Sequence, residues 1–600
     1  MATFCSSNST DGGEDVVFTR TEAASKLSTA LNFLQYNVQQ GNYSFFFLDD
    51  CAGFELDSCF ALNADSPYGM TLLPDAPGQP EYNGCLTATG VCGLGCNPED
   101  DPDLDTKICY NEDQTMKWLL GNDDAVVILM EAPPECMYWS MTYYQMSKYY
   151  EDEDEKRSEK PDSFESKIQE AASQCPDPPA RCQTFASLGS PINYLDLQAQ
   201  NGLSGFLEPM AIVMTASKAT DQDIRSALLD NGICNSSLPV FSAPLPSDLL
   251  TLGLDSKSDV LTMLFRVAFP ANTTQMAQFY DATPVSVLRV TSTQEQEASC
   301  DTHYCVSDVV FKARGDGTME SGGDELTSEQ LQAGLDDLGK AIEGKLGKAQ
   351  QTTNFLEPYF DTGLDCIEGG IMCQGDCADT LYPASNNVYQ AEFCNGIGNV
   401  LLPLGSTMSV VVAALGFIIY WLIVRKREYG RHKFWGIGAA IFLSLFFVIF
   451  IPVIVVYVRG VNCLNYATLD SGPQDFYVVY GINHKATGHA TYSSINAYYY
   501  ETLSGVASAT TESTPGYEGS AEIYLGNDNP AAKYLYAYHF ARNCSESGFT
   551  EFCLDIPSSG DISMPPGGHI LFVGRMYIDP KTGAGPKANE TIYDMLKHYY

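Results

Sequence analysis

Histidine is the side chain whose placement in this sequence could support catalysis or metal binding. His484 and His489 flank a turn in the stretch NHKATGH, and His539 and His569 follow further along the chain. Imidazole titrates near neutral pH and ligates metals, so a histidine pair at a turn could form an acid–base or metal site. The sequence around them has no nucleophile elbow, HExxH helix or phosphate-binding glycine loop. The alternative is that these are ordinary surface histidines without a catalytic role.

A second candidate site is acidic. The stretch DDPDLD presents Asp101, Asp103 and Asp105 at alternating positions, and carboxylate oxygens are ligands that Ca²⁺ prefers. The stretch lacks the glycine and the distal glutamate of an EF-hand loop, so a hydrated acidic loop is the alternative. No cofactor is evident from any other motif, and calcium is retained as the one candidate.

The cysteines are interpreted as disulfide partners. There are 20 of them, and spacing alone does not fix their connectivity. Short sequence separation and position favour these candidate pairs: Cys51 with Cys59, Cys366 with Cys373, Cys175 with Cys182, Cys300 with Cys305, Cys544 with Cys553, and Cys394 with Cys463. For Cys394 the alternative partner is Cys377.

Glycosylation sequons complement the cysteines. The pattern N-x-[ST] occurs six times. The acceptor residues are Asn8, Asn42, Asn235, Asn272, Asn543 and Asn589. Disulfides and N-linked glycans both belong to secreted or lumenal proteins, so the two patterns together predict an oxidising, glycosylating compartment.

Charge and composition exclude several classes of protein. The chain has 33 basic and 75 acidic residues, for a formal net charge of −42 with histidine neutral. That charge repels phosphate backbones and anionic lipid headgroups, which excludes nucleic acid as a partner. With 45% hydrophobic and 12% aromatic residues, the chain has enough apolar surface to fold, so a disordered protein is excluded as well.

Two apolar runs, 401–424 and 434–458, contain no acidic or basic side chain and are long enough to cross a bilayer. The loop between them reads RKREYGRHK and is strongly basic. Because basic loops stay in the cytoplasm, the sequence predicts a two-helix transmembrane hairpin with the bilayer as a partner. Both termini would then be extracellular or lumenal, in the plasma membrane or a secretory-pathway membrane.

The start of the chain does not match that prediction. MATFCSSNSTDGG has neither the basic start nor the apolar stretch of a secretory signal. We expect either that Met1 is not the true start or that a leader has been removed. The alternative topology places both flanks in the cytosol.

An internal repeat organises the chain. Three blocks recur in the same order: DCAGFELDSCF from Asp50 with DCIEGGIMCQG from Asp365, DAVVILMEAPPECMYWSMTYY from Asp124 with DFYVVYGINHKATGHATYSSINAYY from Asp475, and DVLTMLFRVAFP from Asp259 with HILFVGRMYIDP from His569. This order predicts two diverged copies of one module. Tyr138 and Tyr492, and likewise Arg266 and Arg575, should then occupy matched positions.

Within each copy, alternating apolar and polar residues rich in valine and tyrosine predict strands, with helices at the borders. The predicted fold class is α+β: two tandem diverged copies of a strand-rich module, the second interrupted by the transmembrane hairpin. The predicted segments are an N-terminal tail (1–14), copy one (15–293), a linker (294–323), copy two (324–385 and 471–600) and the insert (386–470).

These features predict a membrane-anchored extracellular glycoprotein that acts as a binding or structural surface component, with an extracellular protein or glycan as ligand. One alternative is a cell-surface enzyme or metal-binding protein with a site in copy two near His484 and His489. A second alternative is an accessory subunit of a membrane transport or channel assembly. The sequence determines neither the ligand nor the oligomeric state.

Overall fold

The computed structural model describes residues 19–47, 67–79, 114–150, 180–200, 203–230, 238–294, 296–355, 379–383, 468–470, 472–499, 504–513, 515–560 and 563–600. All of these except Thr468 belong to one unit formed by 1–383 and 469–600. Over this described part of the chain there are twenty strands and six α-helices, so the protein is strand-rich.

The first half of the chain, residues 19–294, contains eleven strands and four helices among its described residues. The strands are β1 Tyr36–Phe46, β2 Tyr68–Pro74, β3 Gln114–Thr115, β4 Ala125–Glu131, β5 Cys136–Tyr150, β6 Ala180–Ser187, β7 Ile192–Asn193, β8 Pro209–Thr215, β9 Val240–Pro244, β10 Val260–Pro270 and β11 Val285–Ser292. The helices are α1 Arg20–Phe33, α2 Tyr194–Gln198, α3 Lys218–Asp230 and α4 Thr273–Ala282.

The second half of the chain, residues 328–600, contains nine strands and two helices among its described residues. The strands are β12 Gln351–Asn354, β13 Asp379–Pro383, β14 Phe476–Ile482, β15 Tyr492–Tyr499, β16 Ser504–Thr510, β17 Leu535–Ala541, β18 Cys553–Asp555, β19 Ile570–Tyr577 and β20 Met595–Tyr599. The helices are α5 Ser328–Leu346 and α6 Glu522–Leu525. Short 3₁₀ helices cover Val306–Asp308, Ala532–Tyr534 and Ala588–Glu590.

The strand order is the same in both halves. The first half forms one 11-stranded sheet in the order β6-β5-β10-β2-β1-β11-β4-β8-β9, with β3 and β7 off this path. The second half forms a four-stranded sheet, β16-β15-β19-β13, and a five-stranded sheet, β12-β20-β14-β17-β18. The strands of the second half therefore follow the order of the first, except that the described residues of β12 and β13 do not pair as those of β1 and β2 do. Among the described pairs, β8 with β9 and β17 with β18 are parallel and the others are antiparallel.

Strand register follows the same correspondence. On β10, Arg266 lies opposite Ser140 of β5. On β19, Arg575 lies opposite Ser494 of β15. Both arginines are 4% exposed, and each guanidinium lies over a tyrosine ring, that of Tyr144 or that of Tyr498. The two halves thus share pairing and side-chain environment at these positions.

Helices α1 and α5 begin at capping boxes. The side chain of Thr19 accepts a hydrogen bond from the backbone of Glu22, and the Glu22 carboxylate accepts one from the Thr19 backbone. Thr327 and Gln330 form the same reciprocal pair before α5. Such boxes satisfy backbone N–H groups that a helix start leaves unpaired, which explains where both helices begin.

The cores lie on both faces of the first-half sheet. Alternate residues of β4 point to opposite sides, so Val126 and Ile128 join one core while Val127 and Leu129 join the other, beneath α1 and α3. In the second half a leucine-rich face of α5 packs on β14, β17 and β20. A strand buried on both faces explains the continuous apolar run AVVILM.

The two halves meet through corresponding residues. Tyr138 and Tyr577 have ring centroids 5.0 Å apart, and Phe269 and Tyr492 have ring centroids 5.2 Å apart. Together with Ile578 they form a small core, of which Tyr138, Tyr492, Tyr577 and Ile578 are at most 1% exposed. Phe269 and Ile578, which correspond in register, both have positive φ, at 51° and 40°.

The predicted fold class is wrong in its membrane hairpin. No helix in the described residues is long and apolar enough to cross a membrane. The longest of these helices, α5, carries charged residues on the side away from its leucines, including Asp336, Asp337 and Lys340. Both predicted spans, 401–424 and 434–458, lie outside the described residues. We therefore withdraw the hairpin, the bilayer as a partner, and the membrane localisation with a cytoplasmic loop.

Candidate functional site

The histidine-bearing turn directly follows β14. The side chain of Asn483 accepts a hydrogen bond from the Ala486 backbone, and the backbone of His489 donates to the His484 carbonyl at 2.9 Å. Gly488 takes a positive φ of 74°, a conformation that glycine adopts at little cost. The turn therefore places the two histidines at its two ends.

His484 forms a buried pair with Glu320, which comes from the segment between the two halves. The two atoms His484 Nδ1 and Glu320 Oε1 are 2.8 Å apart, and the side chains are 1% and 0% exposed. The hydroxyl of Thr487 donates to the same carboxylate oxygen at 2.7 Å. The backbone N–H of Ile592 donates to the other oxygen at 3.1 Å. Both carboxylate oxygens therefore have protein partners.

The environment shifts the pKa of each member of the pair in opposite directions. Burial alone would raise the pKa of Glu320, but the charge and hydrogen bond of His484, helped by His489 and Thr487, lower it to about 2. Burial alone would lower the pKa of His484, but the Glu320 carboxylate, helped by Asp594, raises it above the ordinary value. Each partner therefore favours the ionised form of the other.

His489 faces a different set of partners. Its Nε2 lies 3.0 Å from the hydroxyl oxygen of Thr591, and that hydroxyl donates to the Lys587 carbonyl at 2.9 Å. Because the hydroxyl proton is used there, the His489 ring donates its own N–H to Thr591. Burial lowers the pKa of His489, against the smaller opposing effect of Glu320. Burial therefore favours the neutral form of His489.

The C-terminal segment completes the cluster. The Glu590 carboxylate accepts hydrogen bonds from the backbones of Asp316 and Gly317, each at 3.1 Å. The Asp594 carboxylate accepts from the Ile482 backbone at 3.3 Å, and a Cβ at Gly481 would come within 1.5 Å of it. Only glycine at position 481 of β14 leaves room for the Asp594 carboxylate. These contacts tie the segment around Glu320, the turn after β14 and the C-terminal segment to one another.

The other two candidate histidines lie elsewhere. His539 is on β17, where its Nδ1 donates to the Phe552 carbonyl at 3.0 Å and its Nε2 accepts from the Tyr524 hydroxyl at 2.7 Å. Burial lowers the pKa of His539 to about 4. His569 is half-buried just before β19. The structure thus brings His484 and His489 together, but does not add His539 or His569 to their cluster.

A metal site does not emerge from the described residues. The one group of three metal-ligating side chains found there is Asp248 with Cys300 and Cys305. The sulfurs of those two cysteines are 1.94 Å apart, in a disulfide, so they offer no thiolates. The calcium candidates Asp101, Asp103 and Asp105 lie outside the described residues.

Two of the candidate disulfides fall in the described part. They are Cys300–Cys305 and Cys544–Cys553, with Cα–Cα distances of 5.4 and 5.8 Å. The side chains of the other candidates lie outside the described residues: Cys51, Cys59, Cys175, Cys182, Cys366, Cys373, Cys377, Cys394 and Cys463.

Four of the sequon asparagines can be placed. Asn42, Asn272 and Asn589 are exposed, and Asn543 is half-buried. The remaining two, Asn8 and Asn235, lie outside the described residues.

Sequence reasoning missed a buried histidine–aspartate pair, formed by His598 and Asp475 in the second half. His598 Nε2 lies 2.7 Å from Asp475 Oδ1. At the corresponding positions of the first half, Arg289 interacts electrostatically with Asp124. The repeat does align Asp124 with Asp475, so a search for basic residues opposite these two acids would have found both pairs.

Comparisons with known proteins give little further information. No protein-family model matches the chain, and no curated protein matches it. Among solved structures, the chain matches the crystal structure of the VPA0106 protein from Vibrio parahaemolyticus. The identity is 8%, and the match covers 97% of this chain and 100% of the VPA0106 chain. The TM-score of 0.27 is too low to support an inference about fold or function.

Proposed function

We propose that this protein is a glycoprotein of an oxidising compartment that acts by binding or as a structural component, without a catalytic centre at His484 and His489. One observation carries the proposal: Glu320 and His484 are 0% and 1% exposed, and both Glu320 oxygens accept hydrogen bonds from the protein itself. A general acid or base must lie within hydrogen-bond reach of its substrate. A pair enclosed in this way serves to hold segments of the chain together.

The oxidising compartment is supported by the cysteines and the sequons. Cys544 and Cys553 have their sulfurs 2.03 Å apart, and disulfides persist where the surroundings are oxidising. Asn42, Asn272 and Asn589 are exposed, so a glycan on each could extend into solvent.

The net charge limits the kind of ligand. With a formal net charge of −42, the protein repels polyanions and attracts basic surfaces at a distance. We infer that its ligand is a protein with a basic contact surface or a glycan without acidic groups.

Peptide mapping of the protein secreted from cultured animal cells tests the proposal. We expect linked peptides for Cys300–Cys305 and Cys544–Cys553, and glycosidase-sensitive mass on Asn272 and Asn589. Reduced thiols at all four cysteines, together with unmodified asparagine at both sequons, would overturn the proposed compartment.

A further inference from the structure

The sequon at Asn543 differs from the other five in its middle residue. It reads Asn543-Cys544-Ser545, and it is the one sequon of the sequence with a cysteine at that position. Cys544 forms the disulfide with Cys553, nine residues further on. The acceptor asparagine is therefore directly attached to a disulfide-closed ring.

The chain on both sides of Asn543 is held in place. The Arg542 guanidinium donates to the carbonyls of Leu469, Met564 and Pro565 at 2.9, 2.5 and 3.0 Å. On the other side, the Cys544 backbone donates to the Asp555 carboxylate at 2.6 Å. The sequon cannot be drawn out of the folded protein without breaking these bonds.

The sequon itself is folded into a tight turn. The side-chain oxygen of Asn543 accepts hydrogen bonds from the Ser545 hydroxyl at 2.8 Å and from the Glu546 backbone at 3.2 Å. Asn543 is half-buried, whereas Asn272 and Asn589 are exposed.

The disulfide ring also packs on the body of the protein. Phe549, inside the ring, lies with its centroid 3.9 Å from the His539 ring and 4.9 Å from the Phe476 ring. Closing the disulfide keeps Phe549 near these partners, because the loop between the two cysteines is short. Ring closure and the folded conformation of the segment around Asn543 are therefore coupled.

We propose that Asn543 is a conditional N-glycosylation site, which accepts an oligosaccharide only while the Cys544–Cys553 disulfide is open. The inference rests on the proposed function, since it requires a glycosylating compartment. Asn272 and Asn589, whose sequons contain no cysteine, are modified irrespective of this disulfide.

Two chemical steps compete at this segment. In glycosylation, Asn543 Nδ2 loses a proton and bonds to the anomeric carbon of a polyprenyl-pyrophosphate-linked oligosaccharide, as the bond from that carbon to the pyrophosphate breaks and the lipid pyrophosphate leaves. In oxidation, the Cys544 and Cys553 thiols lose two protons and two electrons to a disulfide-bearing oxidant, which becomes a dithiol. Whichever step comes first decides the state of Asn543.

Site occupancy in the full chain, expressed in animal cells, tests the inference. Peptides are treated with a glycosidase in ¹⁸O water and the fraction of converted asparagine is measured at Asn543, Asn272 and Asn589. We compare the wild type with Cys553→Ser, which leaves the sequon intact but opens the ring. Cys305→Ser is the matched control, because it removes the other disulfide far from any sequon in sequence. Protein retained in the cells is included, so a folding defect does not hide the result.

We expect Asn543 to be occupied less than Asn272 in the wild type and to increase several-fold in Cys553→Ser, with no change in Cys305→Ser. Dithiothreitol present during synthesis should produce the same increase in the wild type. An unchanged Asn543 occupancy in Cys553→Ser, or no increase in the wild type synthesised with dithiothreitol, overturns the inference alone. Empty sequons at all three positions in every protein overturn the proposed function and the inference with it.

Discussion

Glu320 contacts several segments of the chain at the candidate site. Its carboxylate pairs with His484 at 2.8 Å and accepts from Thr487 and Ile592, and its own backbone N–H donates to the Glu590 carbonyl at 2.7 Å. A buried charge that loses its partner is costly, more so than the pair itself is stabilising. The residue therefore acts on stability through several segments at once.

We predict that Glu320→Gln lowers the free energy of unfolding by about 3–5 kcal/mol, because it leaves a buried imidazolium without its counter-charge. The pKa of Glu320 is lowered from 4.5 and that of His484 is raised from 6.5 in the folded protein, so the pair stabilises fully between about pH 4.5 and 6.5 and less as the pH rises through the raised value. The loss measured by urea unfolding should therefore be larger at pH 6 than at pH 9.

The control for this substitution is Glu325→Gln. Glu325 pairs with Lys533 at the surface, where their side chains are 58% and 50% exposed. Exposed pairs of this kind contribute little, so the unfolding midpoint of Glu325→Gln should match that of the wild type. Equal effects of the two substitutions would contradict the structural role of the Glu320–His484 pair.

His539 should make the stability of the protein change with pH in the opposite direction. Burial lowers its pKa to about 4, so the unfolded chain binds a proton more readily than the folded protein does. Stability is then lost as the pH falls from about 6.5 to about 4, by on the order of 3 kcal/mol. In His539→Gln, which keeps hydrogen-bonding groups but does not titrate, this part of the acid slope should disappear. Unfolding midpoints measured across that range check this, and an unchanged slope would show that His539 is not responsible.

The candidate site could be predicted from sequence only in part. His484 and His489 were recognisable because they flank a short turn, and the structure does place them in one cluster. Their partner Glu320 lies 164 residues away from His484 in sequence, and no local pattern links them. The burial of the pair could not be inferred either, because a turn following a strand is ordinarily exposed.

At the scale of elements, the contact between the halves depends on strand register. Tyr138 lies on β5 opposite Ala268 of β10, and Tyr492 lies on β15 opposite Tyr577 of β19. The repeat in the sequence aligned Tyr138 with Tyr492, and the register places them at corresponding positions. Register follows from the alternation of side chains along each strand, which is why the sequence contained this information.

We predict an energetic coupling between Tyr138 and Tyr577. A double-mutant cycle with Tyr138→Leu and Tyr577→Leu should give about 0.5–1.5 kcal/mol, the range for aromatic rings in contact. The matched control combines Tyr138→Leu with Phe476→Leu, because Phe476 belongs to a different core. Here the two effects should be additive within about 0.5 kcal/mol. Additivity in the first cycle as well would mean that the halves do not pack through this contact.

The extent of each sheet was less predictable than the strands. In the first half β1 pairs with β11 through Tyr36–Gly41 and with β2 through Asn42–Phe46, which joins eleven strands into one sheet. Sequence alternation indicates that such a segment is a strand but not that it changes partner along its length. The hairpin prediction is wrong at the same scale, because no helix in the described residues is long and apolar enough to cross a membrane.

At the scale of the whole molecule, net charge is the dominant electrostatic property. A formal charge of −42 over 600 residues produces self-repulsion in the folded state. We predict that raising NaCl from about 20 to about 300 mM increases the thermal midpoint, because the screening length falls well below the molecular size. Sucrose at matched osmolality is the control and should not reproduce the full increase. A midpoint that falls with salt would indicate that ion pairs outweigh the repulsion.

We propose that His484 is enclosed in a structural pair and does not serve a catalytic centre. The most direct measurement is hydrogen–deuterium exchange at the imidazole C2 position of each histidine, followed by mass spectrometry across pH, which reports both solvent access and pKa. We expect His484 to exchange much more slowly than the half-buried His569, with a pKa above the ordinary value, and His539 to titrate near pH 4. Exchange of His484 as fast as that of His569, with an ordinary pKa, would contradict the claim.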